Sequence, residues 1–387
     1  RDVERSRGLG DVYKRQVSHG LFAALSVLVV ACPCAVGLAT PVALAAGLNK
    51  AARNHILIRD TSALEQMRNV DVVVFDKTGT LTEGHPTVIG WLWAQGQEEH
   101  YKDVLLAAES TSDHPLAEAI VTALEGEEQV IPAHLDGFEN ITGKGVRVAY
   151  QGAEYWVGSH KLLKDYQANL SDILADMLTQ YESDGNSIVY FGRENDLLAV
   201  IAIKDQLRVT SMEAIRELRI QDIEICMLTG DGERTASSVA GSLGIMRFVA
   251  DAMPDDKEDF IHKLQLQGKT VAMVGDGVND AQALSCADVS IAMGKGTDTL
   301  MDTAMITLRT SDLLLLPKVF RLSRQTVSLM YRNLFWAFIY NTVGIFVAAG
   351  VLYPVYDILL SPALAGAAMA LSCVSVALSS LRLSSRF

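Results

Sequence analysis

Asp76 has the type and placement of a residue that could attack phosphorus. It closes the apolar run VDVVVFD and is followed by the small and hydroxyl residues of KTGTLTEG. Backbone N–H groups in such a turn can bind phosphate, and a carboxylate there can act as a covalent nucleophile. Taken alone, the residue fits equally well a strand-end carboxylate that caps the next helix.

Other strand ends supply groups that complement such a nucleophile: a hydroxyl, backbone donors, a cation and carboxylates for a metal. These are Thr229, Gly230 and Asp231 in LTGD, Lys257 in MPDDK, and Asp276 and Asp280 in GDGVND. Carboxylate oxygens are the ligands that Mg²⁺ prefers in proteins. Together these groups predict phosphoryl transfer through an aspartyl-phosphate on Asp76.

A sheet of parallel strands would bring these groups to one edge. The Val-rich run before Asp76 and the runs IEICMLTGD, KTVAMVGDG and VSIAM are typical of strands covered on both faces, and helical stretches follow two of them. The pattern predicts a doubly wound α/β fold, whose active site lies at the carboxyl ends of the strands.

A domain of different texture interrupts this α/β domain. Between LTEG and IAIKDQLR the sequence shows alternating patterns bounded by glycine, which predict an antiparallel sheet with helices. We interpret residues 86–200 as an inserted α+β domain, with residues 49–85 and 201–325 as the two parts of the α/β domain.

Three uncharged runs are long enough to span a bilayer. They are Leu21–Leu48, Asn333–Tyr356 and Ile358–Leu381, and we assign residues 17–48, 326–356 and 357–382 to transmembrane helices. The net charge of −13 therefore belongs to the part between them, which argues against nucleic acid as a partner. Lys and Arg flank the runs on the side of this part, which predicts an integral membrane protein with residues 49–332 in the cytoplasm.

The first residues of the chain do not fit this orientation. The opening RDVERSRGLGDVYKRQ is basic and polar although it lies on the side predicted to be outside, and it does not begin with Met. We interpret residues 1–16 as a leader outside the domain architecture, and the chain as a fragment of a longer protein.

The motifs DKTGTLTEG, LTGDG and VGDGVNDAQAL resemble the signature set of P-type ATPases, whose phosphorylation domain has the haloacid-dehalogenase-like fold. The resemblance extends over about residues 17–385. It implies that Asp76 accepts the γ-phosphate of ATP. It further implies a Mg²⁺ site of Asp76, Thr78, Asp276 and Asp280, and phosphoryl contacts from Lys77, Thr229, Gly230, Asp231, Lys257 and Asn279.

Thr78 adds a detail that agrees with this resemblance. Many phosphatases of this fold have a second Asp two residues after the nucleophile, where it acts as a general acid. Because Thr78 cannot supply that acid, hydrolysis of the phosphoenzyme is expected to be slow.

A nucleotide site is implied for the inserted domain. SDHPLAEAI resembles the His-Pro motif of heavy-metal pumps, and GKG at 143–145 resembles their glycine pair. The resemblance implies that His114 and Pro115 lie beside adenine, that Gly143 and Gly145 let the backbone approach the nucleotide, and that Glu139 holds the base or His114. Without the resemblance, His114 would be read as a surface histidine near a helix start.

The run VLVVACPCAVGLATPVAL places two thiols around a proline inside an apolar helix candidate. The polar groups of the three runs are Cys32, Cys34, Tyr340, Asn341, Met369, Ser372 and Cys373. Thiolate and thioether ligands favour Cu(I), and Ag(I) shares this preference. The set resembles the copper(I) subgroup of heavy-metal P-type ATPases, although Ser372-Cys373 stands where the subgroup usually has Ser-Ser. Packing of Tyr340 and an interhelical hydrogen bond of Asn341 are alternative roles.

The resemblance implies ATP-driven export of Cu(I) or Ag(I), with ATP and Mg²⁺ as cofactors, membrane lipid as the surroundings and a cytosolic copper chaperone as a candidate partner. It also implies a bacterial inner membrane. We find no TGE loop of an actuator domain, so this chain is expected to bind ATP without transporting metal. Three alternatives stay open: a Zn²⁺ or Cd²⁺ pump, a membrane-anchored phosphatase of the same fold, and a membrane metal sensor without ATPase activity.

Overall fold

The computed structural model describes residues 17–94, 98–112, 114–127, 130–168, 172–276, 280–294, 304–353 and 359–385. The predicted leader, residues 1–16, and the candidate site residue Asn279 lie outside these ranges. The chain divides after Asn54 and after Lys318 into two compact units. One unit is His55–Lys318, and the other is built from the two ends of the chain.

The strands of the described residues all lie in the His55–Lys318 unit. They are β1 (Ile56–Ile58), β2 (Val72–Asp76), β3 (Thr87–Trp93), β4 (Gly137–Ile141), β5 (Gly145–Tyr150), β6 (Ala153–Gly158), β7 (Ser187–Arg193), β8 (Asp196–Lys204), β9 (Glu224–Leu228), β10 (Arg247–Val249), β11 (Val271–Gly275), β12 (Val289–Met293) and β13 (Ile306–Leu308).

The α-helices follow the same chain order. They are α1 (residues 17–30), α2 (Cys34–Arg53), α3 (Ser62–Gln66), α4 (Glu98–Glu109), α5 (Pro115–Glu125), α6 (His160–Asp165), α7 (Asp172–Ser183), α8 (Ser211–Ile220), α9 (Glu233–Leu243), α10 (Pro254–Leu266), α11 (Ala281–Cys286), α12 (Leu315–Ala348) and α13 (Pro362–Ser385).

The first sheet is the predicted doubly wound α/β sheet. Its strand order is β1-β13-β12-β11-β2-β9-β10, and every pairing is parallel except that of β1 with β13. All residues of β2 are buried, and β2 lies between β11 and β9, with Val74 opposite Met273 and Cys226. The carboxyl ends of these three central strands therefore meet at one edge, and the predicted fold class is confirmed.

Local signals set the ends of the helices beside this edge. Pro254 occupies the first turn of α10, where no backbone N–H is needed, and the carboxylate of Asp256 accepts a hydrogen bond of 2.9 Å from the N–H of Met253. Gly244 ends α9 with a left-handed φ of +68°. These two caps fix where α10 begins and where α9 ends beside the edge.

The inserted domain is an antiparallel sheet of order β3-β8-β7-β6-β5-β4 with helices. One core cluster includes Leu105, Ile120 and Phe191, and a second includes Trp156 and Tyr190. Because β8 continues to Lys204, the predicted domain boundary at residue 200 falls inside a strand.

The unit formed by the chain ends is helical. Two helical segments of the described residues are long and apolar enough to cross a membrane: Val17–Arg53, which comprises α1 and α2, and Pro362–Leu383. The second predicted run is not among them. Its described helical part is the end of α12, which stops at Ala348, and the predicted span over residues 326–356 stays a prediction.

Small residues allow close packing within this helical unit. A Cβ on Gly344 of α12 would lie 2.7 Å from Cγ1 of Val30, and a Cβ on Gly47 would lie 2.6 Å from Oγ1 of Thr326. The buried Asn333 side chain donates to the Ser380 hydroxyl at 3.0 Å. Close backbone approach and interhelical hydrogen bonds of this kind are typical of helices packed in lipid.

Candidate functional site

The Asp76 carboxylate, at the carboxyl end of β2, is held by a lysine. Lys257 Nζ, from the first turn of α10, donates to Asp76 Oδ1 at 2.5 Å and to Asp280 Oδ1 at 2.7 Å. Burial alone would lower the pKa of Lys257, but the charges of the two carboxylates outweigh it and raise the pKa. Lys257 therefore stays charged and joins the nucleophile candidate to the residues that follow β11.

Three carboxylates converge at this point. Asp76, Asp276 and Asp280 each offer one oxygen, and these oxygens all lie within 4.8 Å of one another. Burial, together with the charge of Asp76, raises the pKa of Asp276 and of Asp280 to about 7. Lys257, together with the charge of Arg208 that acts on Asp276, does not neutralise three carboxylates, so the arrangement fits a divalent cation with oxygen ligands such as Mg²⁺.

Lys77 connects the α/β domain to the inserted domain. Its Nζ forms a buried ion pair with Asp231 and donates to Ser187 Oγ, at the start of β7, at 3.0 Å. Burial would raise the pKa of Asp231, but the Lys77 charge outweighs it and the pKa is lowered. The Thr229 hydroxyl donates to Asp231 Oδ2 at 3.0 Å, and Gly230 between them is exposed. The predicted LTGD residues thus lie beside Lys77.

The turn after Asp76 is shaped by a glycine. Thr78 is half-buried with extended backbone angles, and Gly79 then adopts a left-handed φ of +71°. A Cβ on Gly79 would lie 1.5 Å from Asp276 Oδ2. Only glycine therefore fits between the turn and the Asp276 carboxylate.

Two residues that anchor this turn were missed by the sequence reasoning. Arg208 is buried, donates through Nε to the Thr80 carbonyl at 3.0 Å and also bonds the Gly79 carbonyl. Asp205 accepts a hydrogen bond of 2.5 Å from the Thr82 hydroxyl. Their signal was the charged pair in IAIKDQLR, where the chain returns from the inserted domain.

His114 lies at the start of α5 as its N-cap residue. Its Nδ1 accepts a hydrogen bond of 3.2 Å from the N–H of Leu116, so the ring proton is on Nε2. Pro115 fills the first helical position, as the motif predicts. The side chain is exposed, yet desolvation by nearby groups lowers its pKa. The charge of Asp231 acts to raise this pKa and the charge of Lys77 acts to lower it. His114 is therefore neutral and near the predicted phosphate site.

The two glycines of GKG have steric reasons to lack side chains. Gly143 has a φ of +70°, and a Cβ there would lie 2.6 Å from Cε of Met253, the N-cap residue of α10. Gly145 has a φ of +142°, and a Cβ there would lie 2.1 Å from the Val157 carbonyl oxygen. The loop between them can thus pack closely, and its predicted approach to a nucleotide stays a prediction.

Glu139 is engaged with an arginine. It lies on β4 opposite Arg147 of β5, and Arg147 Nε donates to Glu139 Oε2 at 3.1 Å. The pair is largely exposed, so it contributes little to stability. The predicted role of Glu139 beside the base or His114 stays a prediction.

Glu109 is a third residue that the sequence reasoning missed. It ends α4, five residues before His114, and burial raises its pKa to about 7. An acidic side chain at the end of the apolar stretch VLLAAE was the available signal. A buried carboxyl with a shifted pKa is typical of a functional site.

The two thiols of the Cys-Pro-Cys motif lie at a break between helices. Helical structure stops over residues 31–33, Pro33 is the N-cap residue of α2, and Cys32 and Cys34 are both exposed. Two residues of α13 lie beside this break. Cys373 packs against the cluster that contains Ala35, and Met369 packs against the cluster that contains Val30.

The remaining predicted metal ligands have ordinary packing contacts. Tyr340 stacks on Trp336 with 5.8 Å between ring centroids and is 47% exposed, and Asn341 is half-buried. The buried Ser372 hydroxyl donates to the Met369 carbonyl at 2.8 Å. Their roles as metal ligands stay predictions.

Comparison with known proteins gives a consistent family. Residues 70–288 match the haloacid dehalogenase-like hydrolases. The chain is 44% identical over 367 residues to a copper-exporting P-type ATPase of Legionella pneumophila, with 95% of this chain and 50% of the relative covered. It is 44% identical over 373 residues to a silver exporting P-type ATPase of Salmonella typhimurium, with 96% and 45% covered. The chain thus spans about half the length of the curated relatives it matches.

Solved structures agree with this result. A zinc-transporting PIB-type ATPase in the E2·Pi state has a TM-score of 0.64 at 34% identity, with 92% of this chain and 56% of that chain covered. The catalytic domain of a CPx-ATPase has a TM-score of 0.59 at 28% identity, with 70% and 97% covered. The resemblance indicated by the motifs is confirmed: the chain belongs to the haloacid dehalogenase-like hydrolases and, among them, to the heavy-metal P-type ATPases.

Proposed function

We propose that this chain carries the phosphorylation site, the nucleotide site and part of the metal path of an ATP-driven exporter of Cu(I) or Ag(I). The observation that supports this most is the convergence of Asp76, Lys257 and the carboxylates of Asp276 and Asp280 at one edge of the sheet. Thr78 next to them lacks the acid of a phosphatase.

In the proposed reaction Asp76 is the nucleophile. One of its carboxylate oxygens forms a bond to the γ-phosphorus of ATP as the bond from that phosphorus to the β–γ bridging oxygen breaks, and ADP leaves with the electron pair. The Lys257 ammonium lies 2.5 Å from Asp76 Oδ1 and orients the attacking carboxylate. Lys257 can then also neutralise charge on the transferred phosphoryl group.

Two further elements act on the same phosphoryl group. Asp76, Asp276 and Asp280 would hold Mg²⁺, which when bound offsets the negative charge of the phosphates. Lys77 is kept in place by Asp231 and Ser187, next to the nucleophile in the chain. With Thr78 in place of a general acid, the acyl-phosphate is expected to persist long enough to drive a conformational change.

The nucleotide is proposed to bind the inserted domain near His114. The neutral ring offers Nε2–H as a donor, because Nδ1 is occupied by the N–H of Leu116. Gly143 and Gly145 leave the backbone open to close approach.

The cargo is proposed to bind at the helix break around Pro33. Cys32 and Cys34 are exposed there, and the sulfur-bearing residues Met369 and Cys373 lie on the helix beside it. Sulfur ligands select Cu(I) and Ag(I) over hard cations. We further propose a bacterial inner membrane, with residues 49–332 in the cytoplasm and a copper chaperone as the metal donor.

The test is phosphorylation of the chain in detergent micelles with γ-labelled ATP and Mg²⁺, with Cu(I), Ag(I) or Zn²⁺ added. We expect acid-stable label on Asp76 that hydroxylamine removes, and a response to Cu(I) and Ag(I) that is lost in Cys32→Ser and Cys34→Ser.

Each alternative function predicts a different outcome. Fast turnover of phosphomonoesters without ATP would support an anchored phosphatase. A response to Zn²⁺ alone would support a zinc pump, which the zinc-transporting structural neighbour makes a specific competitor. Cu(I) binding with neither labelling nor ATPase activity would support a sensor.

A further inference from the structure

A second group of metal-ligating side chains lies on α10 and α11, separate from the three carboxylates at the sheet edge. Glu258 and His262 are one turn apart on α10, and Cys286 ends α11. One ligand atom from each lies within 4.8 Å of the other two. Glu258 and Cys286 are partly buried and His262 is exposed, so the group is open to solvent on one side.

The orientation of the Gln265 side chain is fixed by two hydrogen bonds. Its Nε2 donates to the Cys286 carbonyl at 2.9 Å and to Asp288 Oδ2 at 3.3 Å. Both partners are acceptors, so the amide nitrogen must face them and the amide oxygen must face the other way.

This orientation sets the tautomer of His262. The amide oxygen of Gln265 lies 3.1 Å from His262 Nδ1, so Nδ1 must carry a proton and donate it. The lone pair of a neutral His262 ring is then on Nε2. Metal-binding histidines characteristically donate their other ring N–H in this way to an oxygen acceptor.

The free lone pair of His262 faces an acceptor. Nε2 lies 3.5 Å from Glu258 Oε1, and the Cys286 thiol is close enough to Glu258 for a hydrogen bond. Two acceptors that face each other require a cation or a proton between them. A tetrahedral Zn²⁺ site separates its ligand atoms by about 3.4 Å, which the Nε2–Oε1 distance matches.

We propose that Glu258, His262 and Cys286 form a binding site for a divalent transition metal of the Zn²⁺ class, with water in the fourth position. Imidazole, carboxylate and thiolate together are a donor set for Zn²⁺, whereas Mg²⁺ takes oxygen ligands and does not suit it. The ordinary competing arrangement is a protonated His262 paired with Glu258 along the helix, which leaves Cys286 unused.

Cobalt binding separates these two arrangements, because Co²⁺ develops a charge-transfer absorption only with a thiolate ligand. The probe is Co²⁺ added to the full chain in detergent, carrying Cys32→Ser and Cys34→Ser and with excess Mg²⁺ present to occupy Asp76, Asp276 and Asp280. We expect one equivalent of Co²⁺ to bind with the thiolate absorption, and Zn²⁺ to displace it.

Variants of the three ligands and of Gln265 complete the test. Cys286→Ser should abolish the absorption, and His262→Ala, which removes a ligand, should weaken Co²⁺ binding more than Gln265→Leu does. Gln265→Leu should weaken it about 10–100-fold, because it removes only the partner that fixes the tautomer. His134→Ala, an exposed histidine of the inserted domain, is the matched control and should change nothing.

Three results would overturn the proposal. They are no thiolate absorption in the parent chain, the same absorption in Cys286→Ser, and Co²⁺ affinity in His262→Ala equal to that of the parent. Circular dichroism melts of each variant establish that the chain is folded when it is titrated.

Discussion

The sheet edge around Asp76 and the helix break around Pro33 both present candidate metal ligands, but they are built in opposite ways. At the sheet edge, ionised side chains are buried and paired, as Lys257 is with Asp76 and Asp280. At the break, Cys32 and Cys34 are exposed and their surroundings are small uncharged side chains.

This difference indicates which of the two regions can be mutated without unfolding the protein. A buried charge is stable only while its partners are present, so each residue at the sheet edge supports its neighbours. An exposed thiol beside packed alanines contributes chemistry and little stability. We therefore expect substitutions at the sheet edge to change both folding and reaction, and substitutions at the break to change metal binding alone.

The largest expected effect is that of Asp76→Asn. Without the nucleophile, labelling by γ-labelled ATP should fall by at least on the order of 10³-fold. The loss of one negative charge should also lower the pKa of Asp276 and Asp280 from about 7, because Asp76 is one cause of both shifts. Asp222→Asn, in an exposed turn, is the matched control. Labelling that survives Asp76→Asn would refute the assignment.

Lys257→Met should destabilise the His55–Lys318 unit by about 3–5 kcal/mol, because it leaves buried carboxylates without their cation. Chemical denaturation of the chain in detergent measures this loss. Lys263→Met, exposed on the same helix, should change stability little. If the two variants unfold alike, the sheet edge is not held together by charge and the contrast with the helix break fails.

Arg208→Ala should cost about 2 kcal/mol of stability, since two carbonyls of the turn after Asp76 lose a charged donor. Labelling of Asp76 should fall as well, because the turn that positions Lys77 and Thr78 loosens. Arg216→Ala, an exposed arginine of α8, provides the control. Unchanged labelling in Arg208→Ala would show that the turn keeps its shape without this side chain.

Stability should depend on pH in opposite directions in EDTA and in Mg²⁺. Asp276 and Asp280 have pKa values of about 7 in the folded chain, above the ordinary value, so the folded state binds more protons between about pH 4 and pH 7. In EDTA, stability should therefore fall as pH rises through this window, by up to about 4 kcal/mol for each carboxyl that ionises over this range. Mg²⁺ needs the ionised carboxylates, so its stabilising effect should grow as pH rises. Melts in EDTA that are flat with pH would contradict the charge arrangement.

Cys34→Ser should have the smallest effect on stability and a large effect on Cu(I) binding. We expect stability to change by no more than about 0.5 kcal/mol and Cu(I) binding to be lost. Cys226→Ser, which alters a buried thiol of β9, should lower stability and leave Cu(I) binding intact. Equilibrium dialysis with Cu(I) and denaturation curves of both variants give the comparison.

The sequence predicted the sheet edge because its signals are local. The Val-rich run of β2 and the strand-ending carboxylates Asp231 and Asp276 can be read within a few residues, and parallel strands bring such ends together. The partners of these residues were accessible only from the structure. Lys77 meets Ser187, which follows a hundred residues of inserted domain, and no local pattern predicts that contact.

Other misses have the same origin. Arg208 and Asp205 were read as a domain boundary, because their contacts with the turn after Asp76 depend on how the chain returns from the inserted domain.

The contact between Gly79 and Asp276 has a consequence for how the site can change. A Cβ at residue 79 would lie 1.5 Å from Asp276 Oδ2, closer than two unbonded atoms can approach. The space that a side chain at residue 79 of the DKTG motif would need is therefore already filled by the Asp276 carboxylate after β11, although the two residues are far apart in the chain. Even alanine at this position would push the carboxylate away from the other two acids. A substitution at Gly79 should therefore give the same result in every assay as a substitution of Asp276.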